Sequence, residues 1–210
     1  MYDYNNNKLL IAYNYIYVQV HDAPLLEYLA VTTNGTRRFQ PQLFKKDTMR
    51  NAVNKLRDSP DAANKNRLGI LLGNSATPHT LTITHTQWAL FNMVPAHSIQ
   101  RPHRHNAVAL DLAVEVHPDA QGNVYTLVGN DIDEHGNIIN PQRVEWRSGE
   151  AFTTPLGLWH QHQNDSDHDA WVLPIQDAGL SLHLGAYDIR FAAEEMEHIK
   201  AGKTQKGIMI

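Results

Sequence analysis

His103 and His105, one residue apart, and His160 further along are the residues of this chain whose types and spacing best suit metal chemistry. Side chains on a strand alternate between faces, so His103 and His105 project to one side and Arg104 to the other, and the pair can chelate one ion. His160 stands in the run Gly149-Glu-Ala-Phe-Thr-Thr-Pro155-Leu-Gly157-Leu-Trp-His160-Gln-His-Gln-Asn164, where glycine and proline punctuate turns around short extended stretches. Three neutral imidazoles on a divalent first-row ion leave coordination positions open. That arrangement suits a reactive site better than a closed structural one.

The elements that must hold these histidines are short strands. Extended segments are expected at Leu81 to His85, Trp88 to Val94, Ala107 to Val116, Val124 to Val128, Arg143 to Trp146, Ala151 to Thr154, His160 to Gln163, Trp171 to Ile175 and Leu180 to Leu184. Gln121-Gly122-Asn123, His135-Gly136-Asn137 and Asp177-Ala178-Gly179 mark turns between them. Many short strands at this spacing predict a mainly β chain forming a closed or double-sheet barrel of jelly-roll type. Upstream, Tyr13 to Val20 and Tyr28 to Thr33 (closed by Asn34-Gly35) read as extended. A short helix capped by Asp47 puts Met49, Val53 and Leu56 on one face and ends at Ser59-Pro60-Asp61. Phe191 to Lys200 reads as a helix stopped by Gly202. The expected organisation is an N-terminal extension over residues 1–80 packing on the barrel, the barrel over 81–190, and a C-terminal helix and tail over 191–210.

Composition sets outer bounds. With 210 residues, 42% of them hydrophobic, the chain can bury a proper core. A net charge of -4 without a basic stripe argues against nucleic acid as a partner. The absence of cysteine excludes disulfides and thiolate zinc sites and leaves thirteen histidines as the softest ligands available. The apolar run Leu9 to Val20 is broken by Asn14 and Gln19 and lacks a basic leader region. It is expected to be a strand and not a signal peptide or membrane span, with the cytoplasm as location.

The run 149–164 meets every fixed position of G-x5-P-x-G-x2-H-x3-N, and the chain on this ground resembles the cupins. The other cupin motif, G-x5-H-x-H-x3,4-E-x6-G, is met less fully: His97 stands at the glycine, and Ala109 and Leu110 at the glutamate positions. A cupin lacking that carboxylate is similar to the gentisate, salicylate and 1-hydroxy-2-naphthoate dioxygenases, which bind iron through histidines alone. Pro102-His-Arg-His105 followed by Ala109-Leu110, Thr154-Pro155 before Leu158-Trp159-His160, and Trp171 to Gly179 carry the same likeness, over roughly residues 85 to 190. The resemblance implies a single cupin unit with short N- and C-terminal helices and a metal held by His103, His105 and His160. It further implies Fe(II) as cofactor, with Zn, Mn or Ni as alternatives, and a hydroxylated aromatic and dioxygen as substrates.

Interior positions follow from strand parity: His103, His105, Ala107, Ala109 and Asp111 share a face. The resembling enzymes place glutamine at the position of Ala107 and arginine at that of Asp111, so the sign is reversed here. Asp111 is read as a hydrogen-bond acceptor supporting a ligand, or else as a general base or an anchor for a substrate hydroxyl or amine. His162 shares the face of His160 and is an acid/base group, an alternative ligand, or a hydrogen-bonded wall residue. Asp177 and Asn164 are candidates for outer hydrogen bonds, and Arg101 for the barrel mouth in place of the missing arginine, with plain surface exposure as its alternative. His85, His97 and His183 lack partner spacing and read as structural or surface residues. Trp159 reads as core. Asp131-Ile-Asp133-Glu-His135-Gly136 reads as a hairpin turn, since Gln142 stands where a calcium loop needs its closing glutamate.

The function expected is ring cleavage of a hydroxylated aromatic by a non-haem Fe(II) dioxygenase. The alternatives are a cupin isomerase or lyase using another divalent metal, and a non-catalytic cupin that binds a small molecule. A homodimer is expected, because cupin barrels expose sheet edges and Tyr13 to Val20 offers a strand to cover one.

Overall fold

The structure is a computed structural model that describes residues 2–3, 8–9, 17–32, 35, 38–62, 65–192 and 197. The chain divides into two compact units, Met1–Thr36 and Arg37–Ile210. In the first, β1 (Tyr2–Asp3) pairs antiparallel with β2 (Lys8–Leu9), and α1 spans Ala23–Tyr28 with proline in its first turn. Of the strand expected over Tyr13 to Val20, residues 17–20 carry no regular structure and the rest lies outside the described residues. The strand expected from Tyr28 is also corrected. Tyr28 closes α1 and a turn follows, because Pro24 starts a helix that Leu25, Leu26 and Glu27 propagate.

The second unit opens with α2 (Lys46–Arg57), followed by β3 (Leu68–Leu71), β4 (Trp88–Val94), β5 (Ser98–Ile99), β6 (His103–His105) and β7 (Ala109–Glu115). It continues through β8 (Val124–Gly129), β9 (Gln142–Glu145), β10 (Ala151–Thr154), β11 (Trp159–Asn164), β12 (Ala170–Gln176), α3 (Gly179–His183) and β13 (Ile189–Phe191). Two antiparallel sheets result. One has the order β10-β7-β12-β4-β3 and the other β13-β6-β11-β8-β9, with β5 also pairing β11. The fold is a double-sheet jelly roll. No helix among the described residues is long and apolar enough to cross a membrane.

Alternation sorts the side chains of the first sheet. Ala89, Phe91 and Met93 of β4 and Trp171, Leu173 and Ile175 of β12 join Val53, Met49 and Leu56 of α2 in one core, so the helix lies on the outer face of this sheet. Arg50 extends the contact, its guanidinium 4.7 Å from the Trp171 ring centroid and its Nη2 2.5 Å from Glu115 Oε2. Asp47 contributes in the first turn of α2; the N-cap is Lys45, and no side chain caps there, which corrects the capping role expected of Asp47. The opposite face points between the sheets, where Val94, Ala113, Val124, Trp146, Ala170 and Val172 form a second core at one end of the barrel. A polar set occupies the same interior, as described below.

Three expectations fail and one strand escapes the pattern, each for an identifiable reason. Leu81 to His85 is a series of turns, because Thr77 Oγ1 donates to the Thr82 carbonyl at 2.6 Å and Thr84 Oγ1 accepts the Thr86 and Gln87 amides, so hydroxyls displace ladder bonds. Leu180 to Leu184 alternates like a strand yet forms α3, with Leu184 N–H donating to Leu180 O at 3.0 Å; Leu180 and Leu184 are exposed, so the alternation carries no burial. Leu68–Leu71 is a strand that Gly69 disguises: its side-chain position is filled by the Phe91 carbonyl, 2.9 Å from where a Cβ would stand. Phe191 ends β13 instead of starting a helix. Ala192 and residue 197 are helical, the other residues to Lys200 lying outside the described residues.

Gly179 begins α3 against the backbone of residues 85–87, and a Cβ there would lie 2.5 Å from Thr86 C and 2.6 Å from His85 O. Gly179→Ala is therefore expected to lower unfolding stability by about 1–3 kcal/mol, as overpacking against rigid neighbours does. An unchanged denaturation midpoint would show that the segment shifts freely.

Candidate metal centre

β6 and β11 are neighbours in the sheet, with His160 directly opposite His103, and β13 covers the other edge of β6 with Ile189 opposite His105 and Phe191 opposite His103. His103, His105 and His160 are buried, and one nitrogen from each lies within 4.8 Å of the others. Ring centroids are 4.1 Å apart for His103 and His160, 4.8 Å for His105 and His160, and 6.1 Å for His103 and His105.

Each of the three rings has its Nδ1 on a backbone carbonyl. His103 contacts Arg101 O at 3.1 Å, His105 Ala107 O at 2.8 Å, and His160 Leu158 O at 3.1 Å. A carbonyl only accepts, so Nδ1 holds the proton and Nε2 presents its lone pair. Burial removes the remaining ambiguity of charge. It pushes His105 down to about 4 and His103 and His160 well below their ordinary range, reinforced for His103 by His160, Arg67 and His162 and for His160 by His105, His162 and Arg67. Three neutral, converging Nε2 atoms fit a divalent ion. N–H donors now approach two of these lone pairs, Arg67 Nη2 at His103 and Gln176 Nε2 at 3.2 Å from His105 Nε2, so an ion would compete with them for the same positions.

Around the histidines stands a polar shell. His162 is buried and its Nδ1 lies 2.8 Å from Thr126 Oγ1, which also accepts the Trp146 indole N–H at 2.8 Å. Thr126 Oγ1 is thus shared between the Trp146 indole and His162 Nδ1 and fixes the orientation of the imidazole. Burial, then Arg67 and His105, hold His162 down to about 3, so it is neutral. Asp111 is buried and accepts a hydrogen bond from Thr154 Oγ1 at 2.9 Å; burial raises it to about 6 against the opposing effects of Thr154 and Arg67. Tyr187 donates to Gln176 Oε1 at 3.1 Å and is pushed up to about 12, chiefly by burial.

The remaining candidates lie elsewhere. Asn164 shares the face of His160 but is bonded to the Val94 and His168 carbonyls and accepts from Ser166, which clamps the loop after β11. Asp177 is exposed and accepts the Val108 amide at 2.9 Å, holding the segment between β6 and β7. Arg101 is exposed, its guanidinium 5.3 Å from the Phe191 ring centroid, outside the histidine cluster. His97 is exposed and 2.8 Å from Asp167, and His85 pairs with His183 at 3.1 Å. Trp159 is core with Ile138 and Ala192, and Asp133 accepts the His135 and Asn137 amides in a turn.

Arg67 is the group that sequence patterns do not reveal. It immediately precedes β3, and pairing of β3 with β4 delivers its guanidinium to His103; the residue keeps some exposure, but its Nε is shielded from solvent and without a partner. Burial lowers its pKa, while Tyr187 and Asp111 support the charge. Asn92, inside the barrel on β4, has a buried Oδ1 likewise without a partner.

No protein-family model matches the sequence, and no curated protein sequence matches it. Solved structures do share its fold. A salicylate 1,2-dioxygenase from Pseudaminobacter salicylatoxidans superposes with a TM-score of 0.60 at 20% identity, over 80% of this chain and 47% of that one. The same enzyme with gentisate matches with a TM-score of 0.60 at 20% identity, over 82% of this chain and 48% of that one. The chain thus spans about half the length of the structures it matches.

Proposed function

We propose that this chain, a cupin by fold, is a divalent-metal enzyme that uses Fe(II) and dioxygen to open the ring of a hydroxylated aromatic. The observation that carries this reading is the convergence of three neutral Nε2 atoms, from His103, His105 and His160, in a buried interior without a ligating carboxylate. Bound there, ferrous iron supplies a redox-active Lewis acid with coordination positions left open. Neutral ligands leave the whole positive charge of the ion to attract an anionic chelate. Arg67 would pair with a substrate carboxylate, for which its forked donors are shaped. His162 would hydrogen-bond an oxygen on the face it shares with His160, and Asp111 would accept from a substrate hydroxyl or amine. The likeness to salicylate 1,2-dioxygenase supports this choice of chemistry.

One observation favours a second reading. Asp111 rises to about 6, close to the working pH of a general base, which suits a cupin isomerase or lyase that moves a proton beside Zn, Mn or Ni. Oxygen uptake separates the two. Protein loaded anaerobically with Fe(II) is expected to consume oxygen with at least one of gentisate, salicylate, 1-hydroxy-2-naphthoate, a catechol or an aminophenol. Arg67→Gln should raise KM for carboxylate-bearing members ~10- to 100-fold through loss of a charge-assisted pair. Iron-loaded protein inert toward all of these would refute the dioxygenase and favour the proton-transfer enzyme.

A further inference from the structure

We infer a second divalent-cation site on the outside of the barrel, formed by His117, Asp119 and His168 and suited to a borderline ion such as Zn2+. It shares no residue with the interior cluster and does not depend on the function proposed above. His117 follows β7 and opens a short turn over Pro118–Ala120; His168 lies in the connection between β11 and β12. The two imidazoles are stacked, with centroids 3.7 Å apart and planes 18° from parallel, so one exposed ring turns out of the stack for both in-plane lone pairs to meet on one ion. One donor atom from each of the three residues lies within 4.8 Å of the others.

The geometry of one pair is close to that of a loaded site. Two ligands each about 2.0–2.2 Å from one ion are separated by roughly 3–3.6 Å at the angles of a tetrahedral or slightly opened centre. His117 Nδ1 and Asp119 Oδ2 are 3.6 Å apart. The Asp119 amide donates to that same Nδ1 at 3.3 Å, so the nitrogen carries a lone pair and no proton, and an ion competes only with one long hydrogen bond. The His117 side chain is 45% exposed and that of Asp119 81%, which gives an ion open access and room for water to complete its shell.

The backbone of both arms is held before any ion arrives. Pro118 restricts the backbone beside His117. On the other side Asn164 Nδ2 donates to the His168 carbonyl at 2.8 Å, and the His168 amide donates to Ser166 Oγ at 3.3 Å. The motif asparagine therefore positions His168 by anchoring the loop. Asp165, Asp167 and Asp169 lie in that loop, Asp169 paired with Arg57, Asp167 with His97 and Asp165 accepting from the Tyr125 hydroxyl. Two imidazoles with one carboxylate select Zn2+, Ni2+ or Cu2+ over Mg2+ and Ca2+, which prefer all-oxygen shells. An ion here would tie the β7–β8 connection to the β11–β12 connection.

Equilibrium dialysis of the full chain against Zn2+ alone tests this, with imidazole nitrogen NMR shifts as a second readout. The expected result is one equivalent bound at micromolar Zn2+ that His117→Gln and His168→Gln each remove and His160→Ala leaves in place. In the His160→Ala protein, the ring signals of His117 and His168 should move on addition of Zn2+. Binding that is insensitive to both glutamine variants, or sensitive to them only at millimolar Zn2+, overturns the site. Failure of the interior centre is distinguishable, since it would delete the equivalent that depends on His160 and leave this one.

Discussion

His160→Ala should weaken divalent-metal binding in the barrel by at least ~100-fold and abolish turnover. The magnitude follows from the share of one ligand: binding free energies of about 10–16 kcal/mol over four protein ligands correspond to roughly 3 kcal/mol each, or somewhat more than two decades in affinity. His160 is the central member of the cluster, with ring centroids 4.1 Å from His103 and 4.8 Å from His105, so its loss leaves the widest pair, 6.1 Å apart. His97→Ala is the matched control, because His97 is exposed and bound to Asp167. Metal content after dialysis against a weak chelator, measured in the His168→Gln background so that the outer site does not contribute, reads the effect. Wild-type affinity in the His160→Ala protein would mean that the three Nε2 atoms do not share an ion.

Period-two alternation placed His103, His105, Ala107, Ala109 and Asp111 on one face, and all five are buried. Parity is a local property of an extended chain, which is why it survives without knowledge of the sheet. The turns around His160 are equally local: Gly149 and Gly157 adopt φ of 81° and 76°, conformations that glycine takes at no steric cost. Arg67 belongs to another category. It enters the site only through the register of β3 on β4, a pairing across the irregular stretch 72–87, and a glycine in that strand hid the strand itself. The run Leu180 to Leu184 failed for the converse reason, since alternation predicts a strand only when one face is buried, and there the leucines face water. The polar shell of Thr126, Trp146, Gln176 and Tyr187 is assembled from two strands and two connections, and no spacing along the chain records it.

Acid should unfold the metal-stripped protein well above the pH at which carboxylates titrate. His103, His105, His160 and His162 are neutral and buried in the fold, His105 with a pKa of about 4, His162 of about 3, and the other two well below the ordinary value of 6.5. The unfolded chain takes up a proton at each of them as pH falls through about 6.5, while the folded chain does not, so the unfolded state gains. Each histidine costs about 1.2 kcal/mol on going from pH 7 to 5.5, the slope approaching 1.4 kcal/mol per pH unit only well below 6.5. Asp111 acts in the opposite sense: its pKa of about 6 lets the folded state bind a proton before the unfolded one does, which returns about 1 kcal/mol on going from pH 7 to 5.5. Four groups against one leave a net loss of about 4 kcal/mol over that interval, a large part of the 5–15 kcal/mol that holds a typical domain together. The loss should level off only below about pH 4, as His105 begins to protonate in the folded state. A bound divalent ion occupies the Nε2 lone pairs and should shift the transition to lower pH until protons displace it. Thermal midpoints of chelator-treated protein, taken every half unit from pH 7.5 to 4.5, measure this directly. A flat profile would show that the histidines protonate within the fold, and with that the case for three neutral ligands poised on one ion would fall.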